Sequence, residues 1–110
     1  AVITAIANDK GYKYIFSTQL ERKAQNGDLC IIISASGNSK NLIEASKYCK
    51  TTGIQTLAIL GFDGGELLKT SGLTLHFITE YGQYGVVEDV HLSICHQISQ
   101  SVLAEIAKQI

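Results

Sequence analysis

What the chain lacks narrows it first. None of its 110 residues is methionine, and Ala1 already lies inside a helix-like apolar pattern. Together these features lead to the expectation that an N-terminal part of the protein precedes Ala1. There is no basic run. Nine Lys and Arg against ten Asp and Glu give a formal net charge of −1, so nucleic acid is not expected as a partner. No apolar stretch reaches the roughly 18 residues that span a bilayer, and no signal-peptide pattern opens the chain, so no membrane partner is expected either. Cysteine is scarce and odd in number. Cys30, Cys49 and Cys95 stand at unrelated spacings and form neither a disulfide framework nor a zinc-ribbon pattern. Cys30 within an apolar strand and Cys49 late in an amphipathic helix read as buried free thiols, which points to the cytoplasm.

What is present describes one globular domain over residues 1–110, with 45% hydrophobic and 17% charged residues. Its organising stretch runs from Gly27 to Ala45. Leu29-Cys30-Ile31-Ile32-Ile33 is an unbroken, largely β-branched run, read as a fully buried, central parallel strand. Ser34-Ala35-Ser36-Gly37-Asn38-Ser39 follows, and then a helix over 41–51. Asn38 or Ser39 is placed to cap that helix. Its buried stripe is Leu42, Ala45 and Cys49 with Ser46 beside it. Lys40, Glu44 and Lys47 look outward, Ile43 flanks the stripe, and Gly53 is the stop.

Before this stretch, Val2 to Ala7 reads as a short helix ended by Asn8, Asp9 and Gly11. A second helix is expected from Tyr14 to Ala24, and Asp9 is placed to cap it. After it come a second buried strand over Gln55–Leu60, a glycine-rich loop over 61–65, a short helix over 66–70 and an edge-like strand over 73–78. A long helix then runs from Val86 to the end, with the stripe Val87, Val90, Ile94, Ile98, Val102 and Ile106. Strand and helix alternate throughout. This implies an α/β fold, a three-layer sandwich around a parallel sheet, with ligands at the carboxyl ends of the strands.

Ser34 to Ser39 lies at one such end. Three hydroxyls, a glycine that admits close backbone approach and the positive end of a helix make a cradle for an anion such as phosphate. Serine, glycine and asparagine are also the ordinary residues of a strand-to-helix connection. No lysine of the nucleotide P-loop pattern is present, so a nucleoside triphosphate is not indicated.

Glu88, Asp89, His91 and His96 cluster on the first turns of the last helix. His91 and His96 are about 140° apart around the axis, whereas Glu88 and His96 are about 80° apart and can line one wall. On a generic amphipathic helix the two histidines are ordinary polar residues.

These motifs resemble the sugar isomerase (SIS) domain family, and within it the phosphoheptose isomerases. The resemblance covers nearly the whole chain, but only about the C-terminal part of a typical member. It rests on the Ser-x-Ser-Gly-x-Ser loop, on Asn8-Asp9-Lys10-Gly11-Tyr12 and on the Glu88 to His96 spacing. It implies an SIS-type, flavodoxin-like fold truncated at its N-terminus, with a sugar phosphate held by Ser34, Ser36 and Ser39 and with Asp9 at the substrate. It further implies an aldose–ketose isomerase acting on sedoheptulose 7-phosphate in surface-polysaccharide synthesis, and a homo-oligomer, dimer or tetramer, built in part by the long helix. Zinc is the implied cofactor, with Glu88 and His96 as metal ligands and His96 also in proton transfer. The chain departs from the pattern at four places. Ala35 stands for threonine, Glu88 for glutamine, Asp89 for glutamate and Gly85 for an aspartate. The departures on the last helix leave a second reading, a non-catalytic phosphosugar-binding regulatory domain. His96, which replication-associated relatives lack, favours the enzyme.

Overall fold

The computed structural model describes residues 1–110. Its elements are α1 (Val2–Lys10), a 3₁₀ turn (Tyr12–Tyr14), α2 (Ser17–Lys23), β1 (Leu29–Ser34), α3 (Lys40–Thr52), β2 (Gln55–Leu60), α4 (Gly65–Thr70), β3 (Leu73–His76) and α5 (Tyr84–Lys108). The three strands are parallel, in the order β1-β2-β3. Ile31 pairs in register with Leu57, and Leu57 with Leu73. The α/β class and the parallel sheet are as the strand–helix alternation implies.

The core lies on one face of that sheet. Ile32, Ala58 and Leu60 meet Ile43 of α3 and Leu67 of α4. Period-2 alternation sends the other side chains of the strands to the opposite face. There Leu29, Ile31, Ile33, Leu73 and Leu75 are exposed. This corrects the reading of β1 as a central, fully buried strand. Within residues 1–110 the central strand is β2, hydrogen-bonded on both sides, and β1 pairs on one side only and alternates between core and solvent. An apolar run reports what the strand can bury, while its neighbours decide what it does bury. β3 is the other edge, as expected, but ends at His76.

Local chemistry explains most boundaries. α3 stops at Gly53, whose φ of +75° suits a residue without Cβ, and Ile54 N–H closes the turn onto Cys49 carbonyl at 2.9 Å. α1 runs on to Lys10, so Asn8 and Asp9 lie inside its last turn and Gly11 ends it. The expected helix over 14–24 is split into the 3₁₀ turn and α2. On α3, Ile43 is buried and Leu42 only half-buried, the reverse of the expected roles. Cys49 is fully buried, and burial, with Cys30 beside it, pushes its thiol from 9.0 up to about 12. All three cysteines are free.

α5 behaves differently from the rest. Of its expected stripe only Val87 is buried, and every residue from Gln100 to Ile110 is exposed. The radius of gyration is 15.0 Å, against about 13 Å for a compact domain of this length. No helix is long and apolar enough to cross a membrane.

Candidate functional site

The loop after β1 and the loop after β2 are stitched together. Gly61 N–H donates to Ala35 carbonyl at 3.2 Å, Leu67 N–H to Gly37 carbonyl at 3.0 Å, and Glu66 N–H to Asn38 Oδ1 at 2.9 Å. The fit leaves no room for side chains. A Cβ on Gly37, where φ is +69°, would lie 2.0 Å from Gly64 carbonyl oxygen. Asn38 therefore satisfies the start of α4, not the start of α3. Ser39 occupies the N-cap position of α3, but its side chain makes no capping bond.

The serines divide their work. Ser34 is buried, and its Oγ accepts from Gly37 N–H at 2.9 Å. Ser36 Oγ accepts from Asn38 N–H at 3.2 Å. Both oxygens hold the turn, and each hydroxyl keeps its own hydrogen to donate. Ser39 is exposed. Its carbonyl takes the first helical bonds, from Leu42 and Ile43 N–H at 3.1 and 3.0 Å. The amides before Leu42 are the unsatisfied donors of a helix start. The loop thus offers an anion hydroxyl hydrogens, free N–H groups and the dipole of a 13-residue helix.

The loop also reaches α5. Gly61 is wedged between Ala35 and Val87. A Cβ there would come within 2.6 Å of Val87 Cγ1 and 3.0 Å of Ala35 carbonyl oxygen. Glu88, Asp89 and His96 are exposed. His91 is the buried histidine, and its Nε2 has no hydrogen-bond partner. Helical period accounts for the difference, since His91 follows Val87 by one turn and enters the body with it. Asp9 joins none of this. It is exposed, takes a bond only from its neighbour Asn8 at 3.1 Å, and caps no helix.

As a metal centre this chain is incomplete. No group of three or more His, Cys, Asp or Glu side chains converges anywhere in it. Glu88 and His96 are both exposed on α5, and together they are at most two donors where a tetrahedral zinc site takes four.

One residue beside the site has no signal in the sequence. Phe62 has a φ of +44°, rare for a bulky side chain. It is buried, with Tyr81 and Tyr84 rings 5.3 and 5.1 Å away. Its N–H donates to Thr79 Oγ1 at 3.1 Å, and its carbonyl bonds His76 Nε2 at 3.0 Å. The loop could be read from Gly61, Gly64 and Gly65, but not the left-handed turn at its one large residue.

Known proteins share this sequence pattern and this fold. The chain is 39% identical over 102 residues to a phosphoheptose isomerase of Campylobacter concisus, covering 93% of the chain and 53% of that protein. It is 42% identical over 101 residues to one of Fusobacterium nucleatum, covering 91% and 50%. The chain spans about half the length of the curated relatives it matches. Among solved structures, a phosphoheptose isomerase from Neisseria gonorrhoeae superposes with a TM-score of 0.86 at 29% identity, over 92% of this chain and 56% of that one. The model of the SIS domain matches residues 1–61, from α1 through β2 to Gly61, and the chain belongs to that family.

Proposed function

We propose that the protein is a sugar-phosphate isomerase of the aldose–ketose type. Its substrate is sedoheptulose 7-phosphate, and its role is in surface-polysaccharide precursor synthesis in the cytoplasm. The observation that carries the reading is the junction at Gly61, where the serine loop at Ala35 and the first turn of α5 at Val87 meet. The phosphate sits on Ser34, Ser36 and Ser39. Held there, it supplies binding energy remote from the reacting carbons. Isomerisation moves a proton between neighbouring carbons of the open-chain sugar through an enediol. His96 is the proton-transfer group, because imidazole titrates near neutral pH. Asp9 contacts the sugar once the remainder of the site is in place.

A bound zinc would polarise the sugar carbonyl as a Lewis acid. Glu88 and His96 would contribute two ligands to it. The protein works as a homo-oligomer. In support, Val102, Leu103 and Ile106 of α5 are exposed apolar residues on a helix that outruns its own core. The regulatory reading draws on Gly85, which brings no side chain at its own position in the first turn of α5.

Turnover of sedoheptulose 7-phosphate, by a protein of the relatives' length that contains this chain, tests the reading with and without zinc. His96→Asn is expected to remove turnover, and bound metal with it, while His91→Asn retains metal. Binding of the sugar phosphate without turnover would replace the enzyme reading with the regulatory one.

A further inference from the structure

The connection from β2 into α4 takes a positive φ at three residues. Two are glycines, Gly64 at +84° and Gly65 at +55°, and the third is Phe62 at +44°. Glycine adopts such a backbone freely, whereas a bulky side chain is strained in it. The chain therefore holds Phe62 in place by other means. Its N–H donates to Thr79 Oγ1 at 3.1 Å, and its carbonyl bonds His76 Nε2 at 3.0 Å. Both partners come from β3 and the loop after it. The ring so placed meets Tyr84 edge-on, at 5.1 Å and 83°, and Tyr81 at 5.3 Å and 54°. Rings in this range attract one another beyond what their buried area accounts for. Tyr81 and Tyr84 are 83% and 50% exposed, so Phe62 is the buried member that anchors the group.

Tyr84 opens α5, and Glu88 follows it one helical turn later on the same face. Gly61, the residue before Phe62, meets Val87 at the place where it has no side chain. Two consecutive residues at the end of β2 thus hold the first turn of α5, one by lacking a Cβ and the other by its ring. From Gln100 onward the helix is exposed, so its heading is set near its start. A rotation at Tyr84 is carried along the helix to Glu88 and His96. We infer that Phe62 is a positioning residue, whose strained backbone aims its ring at Tyr84 and so fixes the heading of Glu88 and His96. The inference rests on the reading of His96 as the proton-transfer group, and adds to it a residue that touches no substrate. The serine loop is held by hydrogen bonds of its own, so Phe62 acts on proton transfer and not on phosphate binding.

The test uses a protein of the relatives' length that contains this chain, with Phe62→Leu and Tyr84→Leu as the variants that remove the ring contact. Both are expected to lower kcat for sedoheptulose 7-phosphate by about a hundredfold, the cost of a misplaced reacting group, at nearly unchanged KM. Amide hydrogen exchange should rise over residues 85–91 and stay unchanged in β2. Tyr84→Phe keeps the ring and should retain wild-type kcat. Ile32→Val, which thins the core beneath β1, should lower stability and leave kcat alone. Tyr84 is half exposed, so its variants keep the test decisive where Phe62→Leu disturbs folding. Unchanged kcat in Tyr84→Leu overturns the inference, as does a rise in KM at constant kcat. Equal acceleration of exchange in β2 also overturns it, because Phe62 would then be a core residue only. If the wild type itself does not turn over the substrate, the isomerase reading falls. The exchange pattern over residues 85–91 then decides alone whether Phe62 fixes α5.

Discussion

The loop after β1 and the first turns of α5 both carry candidate residues, yet they are held in opposite ways. Ser34 to Ser39 is over-determined. Five hydrogen bonds fix it, two accepted by its own serines, one from Gly61 and two from the first turn of α4. Glu88 and His96 are determined only by the helix they sit on, which the body grips through Val87 and His91. A binding loop whose geometry is closed within the chain can be pre-organised before ligand arrives. A helix face left exposed needs partners to give its side chains a fixed geometry. Binding and proton transfer, as proposed here, thus differ in how much of their machinery these residues complete.

The contrast can be broken most severely at Gly37. Gly37→Ala puts a Cβ onto Gly64 carbonyl oxygen in a left-handed backbone. It is expected to destabilise the fold by about 4 kcal/mol, the sum of overpacking and backbone strain, read as a lower denaturant midpoint at unchanged m. Gly61→Ala, which crowds Val87 Cγ1 at 2.6 Å, is expected to destabilise by about 2 kcal/mol. It separates the two regions, because hydrogen exchange should rise over the first turns of α5 before it rises in β2. Equal acceleration in both would mean that α5 and the body are one cooperative unit.

The body should also carry a pH signature at Cys49. The folded Cys49 thiol ionises only at about 12, against an ordinary 9.0. Between those values the unfolded state has lost the proton that the folded state keeps. Stability present below pH 9 therefore falls as the pH rises toward 12. Denaturant melts of the wild type and Cys49→Ala across pH 8 to 11 should converge as the pH rises. The smallest effect belongs to the far end of α5. His96→Asn and Leu103→Glu are expected to change the stability of the isolated chain by no more than about 0.5 kcal/mol. Leu103→Glu should nevertheless reduce self-association in sedimentation. A large loss of stability from His96→Asn would show that α5 is part of the core after all.

Element types and most boundaries were legible because they are written locally. Gly53 stops α3 by its left-handed φ, and the apolar runs place β1 and β2. The residues of the loop were legible too, through the Ser-x-Ser-Gly-x-Ser pattern between a strand and a helix. Their division of labour was not. Nothing in the order Ser-Gly-Asn-Ser says that Asn38 will satisfy α4, twenty-eight residues away, instead of α3.

By itself, the sequence determined the alternation of strand and helix, the parallel sheet that follows from it, and the chemistry available at the end of β1. These depend on side-chain periodicity and on residue types that act over a few positions. Tertiary structure alone decided which strand is central, which histidine is buried, and which serine is left free. β1 is an edge because only β2 pairs with it, and His91 is buried because Val87 draws that face of α5 inward. Ser39 is free because Ser34 and Ser36 are taken up by their own turn. Burial and hydrogen bonding belong to pairs of groups brought together by the whole fold, so no stretch of residues states them alone.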